Sequence, residues 1–423
     1  MATLTVHCTH GSEDAERATL AFVVGNVAAS ADQDVVVLLT IDGVWLATKG
    51  CADDVHKEGF QPLREVMQSF TANGGQIWAC GACAKPRGIT DADLIPGARI
   101  VTAAMAVERL AGFEARPGAL AQLVIAQGKD RRDFAAFYEE ATRTGTLFHS
   151  SWTKPGQVPT PSRWVCTGPI RYVGGALVAR DCANLKAALA GITHADAFLP
   201  VTAPASLEPY RENQYYETEE EFVYALAEAL REEYEAIANA GLLVQIDDAW
   251  TTALWDRIGI DMGLAAFKKR CMLRIEALNH ALRNIPEDRI RYHICWGSWH
   301  GPHASDLPLA DCVDLLLAVK AQGYSFEAAN VRHEHEYHVW ESVKLPAGKI
   351  LIPGVVTHST NLIEHPELVA ERIMRFARLV GRENVIAGTD CGFGGRIHAQ
   401  LAWAKLAALA EGARIASKAL GFG

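Results

Sequence analysis

Short apolar runs recur along this chain, and most of them are separated by segments with helical periodicity. Strands buried on both faces read as continuous apolar runs, and strands joined by helices pair in parallel. The first set is Leu4–Cys8, Asp34–Ile41, Gln76–Cys80 and Ala98–Ala103, with a helical stretch from Glu13 to about Ala29 after the turn His10-Gly11-Ser12. These four predict a small doubly wound, flavodoxin-like parallel sheet. Beyond Val107 a second set follows: Ala197–Ala203, Leu242–Ile246, Arg291–Cys295, Ser325–Ala328, Ile350–Val356 and Asn384–Gly388. Between them, Thr218 and Glu221 form a capping box that opens a helix over Glu219–Ala240, with Gly241 at its end. Another helix starts with Pro366 at its first position and stops at Gly381. Strand–helix units with polar residues at the strand ends are what a (β/α)8 TIM-type barrel presents to substrate. Six strands rather than eight make the expected barrel incomplete.

The chain's 423 residues exceed one ordinary core, which agrees with two α/β domains. A formal charge of −10 argues against a nucleic-acid partner, which needs clustered positive charge. No apolar run approaches the roughly 18 residues of a membrane span, and the N-terminus lacks the pattern of a signal peptide. Ten cysteines in so long a chain are no secreted disulfide framework, so a cytoplasmic protein is expected, with thiols available as ligands or nucleophiles.

The strongest chemical signal lies on three strand ends: His293-Ile294-Cys295, then Glu327, then Cys391. Residues i and i+2 of a strand share a face, so His293 and Cys295 can chelate one ion. Spacing alone fits a chance pair in a half-buried strand equally well. Imidazole plus thiolate selects zinc among common metals, and a carboxylate is tolerated. Two thiolates, a carboxylate and Zn²⁺ sum to −1. Such a site is a poor activator of water, but it can hold a substrate thiol as an electron-rich thiolate.

From about residue 107 onward the chain resembles the catalytic barrel of cobalamin-independent methionine synthase. It is closest to that family's single-domain relatives, which also resemble epoxyalkane:coenzyme M transferase. The likeness runs through Arg109–Glu114, Thr167–Ile170, Phe198–Pro200, Gln245–Asp248, His293–Cys295, Phe326-Glu327, Asn330–His335, Gly354–Val356, Asn361–Pro366 and Asp390–Gly392. The resemblance implies zinc held by His293, Cys295, Glu327 and Cys391, with Asp247 binding the amino group of a thiol such as homocysteine. It also implies methyl or alkyl transfer to that thiol, possible use of a methyl-folate donor, and a catalytic histidine near His358. A donor with a poor leaving group needs a proton, which His358 could supply; a backbone-bonded histidine at a loop start fits equally well. His333-Glu-His-Glu336 and His338 invite a second metal site, but read better as a solvated, hydrogen-bonded wall, with His300 and His303 at the mouth.

The N-terminal segment carries Cys80-Gly-Ala-Cys83 at a strand end, and Thr90-x-x-Asp93 starts a helix beyond it. Cysteines near a helix start can have depressed pKa values. With Thr9-His-Gly11, Val35–Thr40, Asn73-Gly-Gly75 and Arg87–Thr90, the segment resembles the DsrE/DsrF-like sulfur-relay family. That resemblance implies a persulfide on Cys80, and a sulfur-carrier role with the barrel as scaffold is the alternative function. The expected division is 1–105 and 106–423, the second domain lacking the first two strands of its barrel. Open parallel edges are aggregation-prone. The gap is therefore expected to be covered, by the N-terminal sheet or by a partner chain, and a homo-oligomer is expected.

Overall fold

The computed structural model describes residues 3–31, 33–84, 87–101, 109–117, 128–144, 162–394 and 396–422. The expected junction at 105/106 lies outside them. Contacts divide the chain into two compact units, Met1–Arg109 and Leu110–Gly423.

In the first unit β1 (Thr3–Cys8), β2 (Asp34–Leu39), β3 (Gln76–Cys80) and β4 (Ala98–Val101) form a parallel sheet in chain order. Double winding requires a reversal of strand order, and none occurs here. The helices Ala15–Ser30 and Leu63–Ala72 pack on one another, with the Phe22 and Phe70 rings edge to face at 5.9 Å. Right-handed crossovers running in one direction put both helices on one face. Val35, Val37, Leu39, Ile77 and Ala79 bury against them.

In the second unit a six-stranded parallel sheet carries the expected set: β7 (Phe198–Thr202), β9 (Leu243–Asp248), β10 (Ile290–Ile294), β11 (Gly323–Phe326), β12 (Ile350–Val356) and β13 (Gly388–Thr389). The order β13-β12-β11-β10-β9-β7 gives a curled half-barrel with β7 and β13 at its edges. The alternation along β9 shows how it is built. Val244, Ile246 and Asp248 are buried toward the helices, and Gln245 and Asp247 share the inner face. The helix Glu219–Asn239 begins at the Thr218/Glu221 capping box, and Pro366–Val380 ends at Gly381 with φ 93°.

A three-stranded sheet was not anticipated. In it β5 (Leu110–Pro117) pairs antiparallel with β6 (Ser162–Tyr172), and β8 (Arg211–Asn213) runs parallel to β6. Gly112 sits at an irregularity in the β5–β6 pairing with φ +98°, where a Cβ would come within 2.7 Å of the Pro169 carbonyl oxygen. Only glycine fits there. Among the described residues, no helix is long and apolar enough to cross a membrane.

Candidate metal centre

Parallel strands end in register, so the half-barrel gathers its polar residues at one rim. His293 stands opposite Asp247 on β9 and opposite Ser325 on β11. Its Nδ1 pairs with the Ser325 hydroxyl at 3.1 Å, which fixes the ring. Its Nε2 is buried and has no hydrogen-bond partner. A ring nitrogen of His293 and the sulfurs of Cys295 and Cys391 lie within 4.8 Å of one another.

The three groups shift one another's protonation. A hydrogen bond from Cys295 holds the Cys391 thiol well below its ordinary value against the effect of burial, helped by the His293 imidazole and the Arg396 guanidinium. The same bond, with burial, pushes Cys295 far up. Burial pulls His293 down, but Cys391 outweighs it and the net direction is upward. A lowered thiol beside a raised thiol and a buried imidazole is a cluster a divalent cation can occupy by displacing protons. One imidazole and two sulfurs, with an orphaned ring nitrogen among them, are a donor set that would fit a divalent ion such as zinc.

Cys391 is placed by its neighbour. The Asp390 carboxylate is fully buried and accepts the backbone N–H groups of Ala328 and Ala329, both at 2.8 Å, and Asn330 Nδ2 at 3.2 Å. This ties the loop after β13 to the loop after β11. Gly354 on β12 lets that loop approach: a Cβ there would lie 2.1 Å from Asp390 Oδ1 and 2.6 Å from its Cα.

Glu327 does not join the three. Its Oε1 accepts the Trp296 backbone N–H at 2.9 Å, and its Oε2 accepts Asn330 Nδ2 at 2.7 Å. Burial, followed by the nearby Asp390 carboxylate, pushes its pKa up to about 8. Asp247 accepts Gln245 Nε2 at 2.9 Å. Burial raises its pKa, with the His293 charge working against the shift.

Beside Glu327 opens a pocket of about 510 Å³ whose lining includes Trp299, His303, Asp306, Asn330, His333 and His358. His358 is 2% exposed. One wall is a chain of ion pairs: Asp306 Oδ2 meets His303 Nδ1 at 3.0 Å and His333 Nε2 at 3.1 Å, and His333 Nδ1 meets Glu336 at 2.8 Å. The Trp296 and Trp299 indoles stack on His333 and His303, with centroids at 4.1 and 4.2 Å. Burial opposes the charge on His333, yet Asp306 and Glu336 lift its pKa to about 10. The wall expected here is hydrogen-bonded but buried rather than solvated. Both nitrogens of His333 are committed to carboxylates, and among the described residues only His293, Cys295 and Cys391 group closely enough to hold a metal ion. His335 and His338 are exposed.

Ser325, Asn330 and Asp390 had no assigned role in the sequence reading. Ser325 stands two residues before Glu327, which puts it on the inner face. Asn330 and Asp390 have no such signal, because loop geometry alone brings them together.

In the first unit Cys80 ends β3, and Cys83 follows in the short helix Gly81–Ala84. Burial pushes the Cys83 thiol up, and the hydrogen bond with Cys80 adds to the shift. The depressed thiol expected at this position is therefore not what the fold provides for Cys83. Arg87 pairs with Asp42 at 2.8 Å and donates to the Cys83 carbonyl at 3.0 Å, tying the loop after β2 to this turn.

Residues 3–113 match the DsrE/DsrF-like family. The chain is 24% identical over 223 residues to the methionine synthase of Thermococcus kodakarensis, covering 52% of this chain and 58% of that protein. With the Saccharolobus solfataricus methionine synthase it shares 24% over 225 residues, 52% of this chain and 59% of the other. The chain thus spans under two thirds of the length of these curated relatives. The B12-independent methionine synthase from Shewanella sp. W3-18-1 shares its fold, with a TM-score of 0.53 and 18% identity over 75% of this chain and 79% of that one.

Proposed function

We propose that the unit Leu110–Gly423 catalyses zinc-dependent methyl or alkyl transfer to a thiol, as in the synthesis of methionine from homocysteine with a methyl-folate donor. The observation that carries this reading is the buried, unpartnered Nε2 of His293 beside two cysteine sulfurs. His293, Cys295 and Cys391 would hold the ion, which supplies the Lewis acidity that keeps a substrate thiol deprotonated at neutral pH. Glu327, the fourth ligand implied by the family resemblance, stays with Trp296 and Asn330 in this arrangement and orders the loop over the site. Asp247 faces the same side as His293 and receives the substrate ammonium. His358 lines the donor pocket and protonates the departing group. The Trp299–His303–Asp306–His333 wall excludes water from one side of the pocket.

Metal analysis of the purified chain tests this. One zinc per chain, lost on Cys391→Ser, is expected; a chain purified without zinc that also binds none on titration overturns the reading. A methyl-transfer assay with homocysteine and a methyl-folate then examines the donor.

A second reading concerns the first unit. The Cys80–Cys83 pair and the DsrE/DsrF-like match support a sulfur-carrier role, with Cys80 bearing a persulfide. Persulfide trapping that disappears on Cys80→Ser is the expected result, and unchanged labelling of that variant refutes it. All ten cysteines are free, which suits a reducing cytoplasm.

A further inference from the structure

The inner face of the half-barrel holds a second orphaned group below the proposed metal cluster. Arg291 lies two residues before His293 on β10, on the same face, and stands opposite Gln245 as His293 stands opposite Asp247. Its Nε is buried without a hydrogen-bond partner, and so is Gln245 Oε1. The guanidinium lies 4.0 Å over the Phe198 ring, and among the described residues it forms no ion pair. A partly desolvated cation that no carboxylate of the described residues contacts directly is costly, and a ligand carboxylate would supply the direct pair. On this side β7 exposes Phe198, Pro200 and Thr202 along one face. Burial lowers the Arg291 pKa, and Asp247 is the charge that opposes the shift.

We infer that Arg291 selects the acceptor thiol, its guanidinium taking a carboxylate carried by the molecule whose sulfur sits among His293, Cys295 and Cys391. This rests on the proposed thiol transfer and adds the residue that selects for the acceptor's carboxylate. Arg291 and His293 share that inner face, the guanidinium over Phe198 and the sulfur site at the rim, so one small molecule lying along the face carries a group to each. Asp247, beside both, takes an ammonium where the thiol is an amino acid. The planar fork of arginine matches a carboxylate bidentately, which a lysine cannot do.

Calorimetric titration of the zinc-loaded full chain tests this with three thiols: homocysteine, 3-mercaptopropionate and cysteamine, the last carrying an amine and no carboxylate. The parent protein is expected to bind 3-mercaptopropionate at least tenfold more tightly than cysteamine. Arg291→Gln is expected to weaken both carboxylate thiols about 10- to 100-fold and leave cysteamine within twofold or tighter. Arg291→Lys should fall between. Equal binding of 3-mercaptopropionate and cysteamine by the parent overturns the inference and needs no variant. So does an Arg291→Gln protein that keeps the parent's preference. Cys391→Ser separates the two levels. If every thiol binds it as well as the parent, the metal reading fails; if thiols depend on Cys391 but not on Arg291, only the present inference fails.

Discussion

Replacing Gly354 by alanine perturbs the proposed metal cluster from a strand that carries none of its proposed ligands. The added Cβ would lie 2.1 Å from Asp390 Oδ1 and 2.6 Å from both its Cα and its backbone nitrogen. An ordinary carbon contact is about 3.5 Å, and two of the three atoms met are backbone, so the loop after β13 must retreat by roughly 1 Å. Overpacking of this kind costs about 1–3 kcal/mol. Should the retreat strain the bonds from Ala328 and Ala329 to Asp390, each adds about 1.5–3 kcal/mol. A loss of about 2–5 kcal/mol is therefore expected, taking the packing cost with part of those bonds. Cys391 follows Asp390 directly, and metal–ligand distances tolerate only about 0.2 Å. Zinc affinity should consequently fall at least about tenfold, as it does when outer partners of metal ligands are removed. Thermal unfolding and competition with a chromophoric chelator measure the two effects. Gly175→Ala is the control: a Cβ there meets nothing within 4 Å, and the residue opens the helix Gly175–Leu189. It should be neutral or slightly stabilising. A Gly354→Ala protein that melts and binds zinc like the parent would refute the account of how Asp390 places Cys391.

Other expectations follow from the same geometry. His333 is raised from about 6.5 to about 10 in the folded chain, so its contribution to stability is complete below about pH 6.5 and is lost as pH rises toward 10. Asp306→Asn should shrink that alkaline loss in melting curves recorded across this window, and an unchanged profile would contradict the pairing. Phe70 is fully buried against Phe22, so Phe70→Ala should destabilise the first unit by about 3–5 kcal/mol, read by denaturant unfolding; a cost below about 1 kcal/mol would contradict the packing described. Thr218→Ala removes the hydroxyl that accepts the Glu221 N–H at 3.1 Å and should cost about 0.5–2 kcal/mol. Equal midpoints for variant and parent would show that this cap contributes nothing.

What the chain's own pattern determined was the strand inventory. Continuous apolar runs identify strands buried on both faces wherever they occur. All six barrel-type strands and the four of the first sheet were therefore legible, as was the rim position of His293, Cys295, Glu327 and Cys391. Period 2 put His293 and Cys295 on one face without any knowledge of their neighbours. Winding, proximity and charge state were not legible, because they depend on groups distant in sequence. Strand order decided that the first sheet winds one way. The pairing of β5 with β6 bridges a long separation that no local period reports. Loop closure through Asp390 and Gly354 brought Cys391 to Cys295, while Trp296 and Asn330 drew the Glu327 carboxylate out of the cluster. Packing of the interior, a property of the tertiary structure alone, then left the Nε2 of His293 and the Nε of Arg291 without hydrogen-bond partners.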